Sequence, residues 1–206
     1  MANWITLSRF PLLIAIMALF YVPSPGLRLA TVGLLVVLIL LDTMDGVVAR
    51  ARHEESLLGS LLDIMADRVV ELALWVCFAH LGLIPVAIPI IYIFRGTVVD
   101  SLRNIHVRQG TAPFKMMRTP IGRWLVGSPA MRTSYAVSKL LSFTGLALTN
   151  ALMAYAAQGS VSAAQVQASL TVSNILAWIS VLFCLVRGLP VILEVLLAAA
   201  QGETGR

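Results

Sequence analysis

Of 206 residues, 59% are apolar and only 12% are charged, a balance that excludes an ordinary soluble domain. The formal net charge of +5 lies largely in two stretches between apolar runs, which points to membrane topology and anionic lipid and away from nucleic acid. The two cysteines, Cys77 and Cys184, each sit inside an apolar run and form no paired motif, so no disulfide framework is read from them.

The first apolar segment runs from about Asn3 to Val22. It lacks a small-residue cleavage site after its apolar core, so it is expected to be a retained helix and not a signal peptide. Pro23-Ser24-Pro25-Gly26 then breaks the chain into a tight turn. The second segment, about Leu27 to Arg50, is continuously apolar only from Leu34 to Leu41, and acids enter its last two turns. The third, about Leu57 to Leu81, begins with acids and turns apolar after Glu71, until Gly82-Leu83-Ile84-Pro85 ends it. The fourth, about Pro85 to Leu102, carries Arg95 and Asp100 inside the helical run, where ionisable groups face a bundle interior or a polar cavity.

From Arg103 to Thr133 the chain is basic and holds no acid. With Pro113, Pro120 and Pro129 it reads as a loop or short interfacial helices. The fifth segment spans about Ser134 to Ala157, with Lys139 one turn in, and a small uncharged loop follows. The sixth, about Val166 to Ala200, exceeds the ~20 residues that one span needs. Arg187-Gly188-Leu189-Pro190 is expected to divide it into a span and an interfacial helix. The reading is an all-α integral membrane protein with six transmembrane helices, residues 1–206 forming a single membrane domain.

Placing the amino terminus, the Arg50 to Glu55 loop, the Arg103 to Thr133 stretch and the carboxyl terminus on one side leaves Arg28 as the only basic residue at the opposite ends. The positive-inside rule makes that basic side cytoplasmic. The compact length and the absence of a targeting segment lead to the expectation of a prokaryotic inner membrane.

Asp42 and Asp45 stand at i, i+3 and Asp63 and Asp67 at i, i+4, so on helices each pair shares one face. The short polar connection between them favours an antiparallel helix pair, which gathers all four acids near the cytoplasmic face. Four clustered carboxylates repel one another and are costly near hydrocarbon unless neutralised. One or two hard divalent cations, Mg²⁺, Mn²⁺ or Ca²⁺, suit an all-oxygen donor set with no His or Cys at ligand spacing. The bland alternative is an ion-pair cluster with Arg50, Arg52 and Arg68. His53, His80 and His106 are isolated from one another.

The string Asp42-x-x-Asp45-Gly46-x-x-Ala49-Arg50, eight residues, then Gly59-x-x-x-Asp63-x-x-x-Asp67 resembles the signature of the CDP-alcohol phosphatidyltransferase family, matched at all eight fixed positions. The resemblance implies six transmembrane helices with a cytoplasmic-side active site, and displacement of CMP from a CDP-linked lipid such as CDP-diacylglycerol by a polar alcohol acceptor. It implies two Mg²⁺ or Mn²⁺ ions held by Asp42, Asp45, Asp63 and Asp67, with Asp67 as the base that deprotonates the acceptor hydroxyl. By the same resemblance Asp42, Gly46, Ala49, Arg50, Gly59 and Asp63 bind the CDP moiety, and a homodimer is expected. The residues alone leave Gly46, Ala49 and Gly59 open to simple close helix packing, and Arg50 to a snorkelling interfacial role.

The acceptor is read from charge. Arg95, Arg103 and Lys139 are the candidate ligands for a phosphate-bearing acceptor, because a desolvated cation needs an anionic partner. Asn3-x-x-Thr6-x-x-Arg9 is similar to the opening of phosphatidylglycerophosphate synthases, and Ser138-Lys139 resembles a later Gly-Lys pair, with Ser for Gly. Asp63-Ile64-Met65-Ala66-Asp67-Arg68 resembles their Asp-Pro-x-Ala-Asp-Lys, with Ile64 for Pro and Arg68 for Lys. The first choice of acceptor is therefore sn-glycerol 3-phosphate, giving phosphatidylglycerol phosphate, with inositol phosphate or another polar alcohol as the same-chemistry alternative. The rivals from other classes are a small transporter and a non-catalytic membrane scaffold.

Overall fold

A computed structural model of the chain describes residues 2–51, 57–108 and 120–200, with side chains described at 6–41, 59, 61–102, 122, 124–125 and 127–193. Among the described residues there are seven α-helices and no strand: α1 (Ala2–Leu19), α2 (Pro25–Ala51), α3 (Leu57–His80), α4 (Ala87–Arg108), α5 (Pro120–Gly127), α6 (Pro129–Ala157) and α7 (Ala163–Ala200). The six long helices coincide with the six apolar segments, and α5 is a short helix of 8 residues within the basic stretch. Among the described residues, Pro129–Ala157 and Ala163–Leu193 are long and apolar enough to cross a membrane.

The ends of the elements follow local chemistry. Pro25 opens α2 at the position where a missing N–H is harmless, and the Ser24 carbonyl accepts from Arg28 N at 3.1 Å to close the first turn. Gly82, at φ 71°, ends α3 in a left-handed cap, with Leu83 N donating to the Phe78 carbonyl at 3.1 Å. Ser128 caps α6, its hydroxyl accepting from Met131 N at 3.2 Å. Ser162 and Gln165 form a reciprocal capping box at the start of α7, with Ser162 N to Gln165 Oε1 at 3.0 Å and Gln165 N to Ser162 Oγ at 3.3 Å.

Three boundaries differ from the sequence reading. Helix α4 runs on through Arg103 to Arg108, because no Gly or Pro intervenes before Gly110 and arginines are good helix formers. Helix α6 begins at Pro129, so Lys139 lies deeper in it than one turn. Helix α7 is unbroken through Pro190. That proline removes one donor to the Val186 carbonyl, but in apolar surroundings every other backbone group still gains most from staying in the helix.

The chain divides into two compact units, Met1–Val86 with Leu140–Leu176, and Ala87–Lys139 with Ala177–Arg206. In the first, α1 packs on α2 and α3. An aromatic chain joins the end of α1 to α3 and α6: Phe20 to Phe78 at 5.2 Å, Phe78 to Phe143 at 6.2 Å and Trp75 to Phe143 at 4.7 Å between ring centroids. Helices α6 and α7 approach closely at Gly145, where a Cβ would stand 2.9 Å from Ser173 Oγ. One turn on, the Thr149 and Ser169 hydroxyls bond at 2.7 Å, the small-residue and hydroxyl contact by which helices associate in lipid.

Buried Asn150 ties α6 to the α1–α2 turn. Its Nδ2 donates to the Phe20 carbonyl at 3.1 Å, and its Oδ1 accepts from Arg28 Nη1 at 3.1 Å, while Arg28 Nε donates to the Val22 carbonyl at 2.7 Å. Replacing Asn150 by Leu leaves the carbonyl and the guanidinium short of a partner, so the variant is expected to lose about 1–3 kcal/mol of stability. Unfolding of the purified protein in detergent checks this, and an unchanged transition would contradict it.

In the second unit, the Tyr92 and Ser180 hydroxyls bond at 2.8 Å, joining α4 to α7 inside the protein. In both units apolar side chains face outward, Ile14 67% exposed, Phe94 69% and Leu182 61%, while Thr31, Ser142, Thr149 and Ser180 are buried. Apolar outside with polar inside is the pattern of a protein surrounded by lipid.

Candidate active site

Both halves of the aspartate signature lie on helices. Asp42, Asp45, Gly46, Ala49 and Arg50 occupy the last turns of α2, and Gly59, Asp63 and Asp67 the first turns of α3. The side chains of the α2 group, and Arg52 and His53, lie outside the described residues, as does the Arg103 side chain on α4.

On α3, Asp63 and Asp67 are one turn apart on a single face, and both approach the same cation. Arg9 Nη2 donates to Asp67 Oδ1 at 2.9 Å, and Arg9 Nη1 lies 3.9 Å from Asp63 Oδ1. The Arg9 side chain is 3% exposed, whereas the carboxylates are 47% and 53% exposed. The guanidinium therefore meets the pair from the protein side, and the pair opens on its other side. Thr6, one turn before Arg9 on α1, is also buried, so these two residues of the amino-terminal motif share an inward face.

Arg68, one of the cations proposed for a purely structural cluster, is paired along its own helix with Glu71 at 3.5 Å. Among the described residues Arg9 is a cation on both aspartates, and it was not among the site residues expected from sequence. Its signal was an arginine inside an otherwise apolar helix.

Among the described residues no three or more His, Cys, Asp or Glu side chains converge as a metal site. The described pair still suits a hard cation: two carboxylates one helical turn apart, half exposed, already drawn onto one positive group. Such a donor set can neutralise a diphosphate through bridging divalent ions, and a carboxylate beside it can take a proton from a hydroxyl.

The second unit gathers a separate set of cations. Arg95 on α4 is 8% exposed, and its Nε has no hydrogen-bond partner among the described residues. It lies against α7 at Gly188, where an added Cβ would stand 2.8 Å from Arg95 Nε and 2.9 Å from its Cγ, so only glycine leaves room for it. Lys139 Nζ sits 4.7 Å from the centre of the Tyr135 ring, and the Arg187 guanidinium 5.3 Å from the same ring. Both cations thus lie against one aromatic ring. Arg187 was missed from sequence because the Arg-Gly-Leu-Pro run reads as a break, and the close approach of Arg95 makes sense of its glycine.

No curated protein matches the chain. The family model for CDP-alcohol phosphatidyltransferase matches residues 1–198. With nearly all of its 206 residues covered, the chain belongs to the CDP-alcohol phosphatidyltransferase family, membrane transferases that pass a phosphatidyl group from a CDP-alcohol to an alcohol acceptor.

Proposed function

We propose that the protein transfers the phosphatidyl group of CDP-diacylglycerol to sn-glycerol 3-phosphate, releasing CMP and forming phosphatidylglycerol phosphate. The donor half of this reading is supported by the complete signature, which spans the last turns of α2 and the first turns of α3. The acceptor half rests on one observation, the buried Arg95 guanidinium whose Nε lacks a partner among the described residues. A buried charge of this kind calls for an anion, which an acceptor phosphate supplies and a neutral alcohol or serine does not. Arg95, Lys139 and Arg187 are its proposed ligands, with Arg103 as a further candidate on α4.

Asp42, Asp45, Asp63 and Asp67 would hold two Mg²⁺ or Mn²⁺ ions, which when bound neutralise the diphosphate and stabilise charge on the attacking and leaving oxygens. Gly46, Ala49 and Gly59 leave space for the cytidine, and Arg50 meets the diphosphate. The acceptor hydroxyl oxygen attacks the lipid-linked phosphorus, and its proton passes to the Asp67 carboxylate. The bond from that phosphorus to the bridging oxygen breaks, and CMP leaves with the bridging oxygen. The basic loops support an active site facing the cytoplasm, and the family resemblance supports a homodimer.

The test is CMP release by purified protein from CDP-diacylglycerol, with glycerol 3-phosphate, inositol phosphate, serine and no acceptor in parallel. Release with glycerol 3-phosphate alone is expected. Release with serine alone would overturn the phosphate-bearing acceptor, and release with inositol phosphate alone would keep the arginine assignment but change the product. No release with any of them, in protein that binds the CDP-lipid, would favour a non-catalytic scaffold.

A further inference from the structure

Arg9 lies in an apolar helix, is almost wholly buried, and reaches across 58 positions of sequence to Asp67 and also to Asp63 one turn before it on α3. An arginine in such a place keeps its charge, since guanidinium does not deprotonate in proteins. We infer that Arg9 is the resident counter-cation of Asp63 and Asp67, stabilising the pair when no metal is bound and holding down its affinity for a divalent ion. The inference rests on the proposed metal site and concerns what sets its strength.

The geometry carries the argument. The guanidinium contacts Asp67 at 2.9 Å and Asp63 at 3.9 Å from the buried side, while each carboxylate remains about half exposed. A divalent ion entering from the open side meets a pair whose charge is already partly balanced, with a fixed positive group behind it. Repulsion between the two cations weakens uptake by the empty site. An arriving diphosphate adds negative charge and reverses that balance, so ion uptake is tied to donor binding. Arg9 is thus a positioning and charge-setting residue, not a catalytic one.

The experiment measures Mn²⁺ binding to the metal-stripped full chain in detergent, without nucleotide, from the electron paramagnetic resonance signal of free Mn²⁺. Arg9→Gln is expected to bind Mn²⁺ on the order of tenfold more tightly than the unaltered protein, the size of a unit charge acting on a double charge a few ångströms away in a water-like dielectric. Arg9→Lys keeps the charge and should stay within about threefold of the unaltered protein, on the same principle. Without metal, Arg9→Gln should melt at lower temperature, and Mn²⁺ should raise its melting point more than it raises that of the unaltered protein. Equal or weaker Mn²⁺ binding by Arg9→Gln overturns the inference while leaving the metal site standing. No Mn²⁺ binding by the unaltered protein overturns both. If Arg9→Gln does not fold, the charge-balanced Arg9→Gln/Asp67→Asn variant decides: recovery of folding supports the counter-cation, and failure to recover overturns it.

Discussion

Asp67→Asn is expected to lower turnover of CDP-diacylglycerol by roughly 100- to 10,000-fold, the usual contribution of a positioned general base, while binding of the CDP-lipid stays measurable. The substitution is nearly isosteric, and an amide oxygen can still accept the Arg9 bond that reaches Asp67 Oδ1 at 2.9 Å. What it removes is one negative charge and the ability to take the acceptor proton. The fold should therefore survive, since the α1–α3 contact keeps its donor and an acceptor. CMP release under saturating acceptor reads turnover, and direct binding of the CDP-lipid reads the donor site. Turnover close to that of the unaltered protein would show that another group is the base.

Arg95→Met separates acceptor binding from donor binding. The KM for glycerol 3-phosphate is expected to rise roughly 10- to 100-fold, the worth of one hydrogen bond to a charged group at about 1.5–3 kcal/mol, with the KM for CDP-diacylglycerol unchanged. Stability should hold or increase, because replacing a buried charge by an apolar side chain of similar length removes a desolvation cost. Loss of function with gain of stability distinguishes a ligand-binding arginine from a structural one. Gly188→Val should act in the same direction, since its Cβ would lie within 2.8 Å of Arg95 Nε and push the guanidinium aside. If Arg95→Met instead unfolds the protein, the guanidinium serves the fold and not the acceptor.

The long helices were legible because each apolar run is bracketed by residues with a defined local effect. Ser24-Pro25 starts α2, and Gly82 and Gly159, both at positive φ, end α3 and α6. Boundaries failed where composition and conformation part company. Four of the six residues from Arg103 to Arg108 are polar, but polarity does not stop a helix, and α4 continues through them. Pro190 reads as a stop and is accommodated inside α7, because the helix on both sides of it stays apolar.

The same division holds at the site. The aspartates were found from spacing along single helices, which sequence encodes directly. Their contact with Arg9 joins α1 to α3, and the approach of Arg95 to Gly188 joins α4 to α7. Neither follows from local pattern, because a tertiary contact depends on which faces meet. The polar residues of an apolar helix were still the right place to look: Arg9, Arg95 and Arg187 each interrupt an apolar run, and each is engaged in the interior or at an aromatic ring.

The most direct measurement is a metal titration of CMP release. Protein stripped with EDTA is given CDP-diacylglycerol and glycerol 3-phosphate, and Mg²⁺ or Mn²⁺ is then added back. No release in the stripped protein, full recovery on addition, and no recovery in Asp63→Asn are the predicted results. Full-rate release in the presence of EDTA would contradict a carboxylate centre that works through divalent ions.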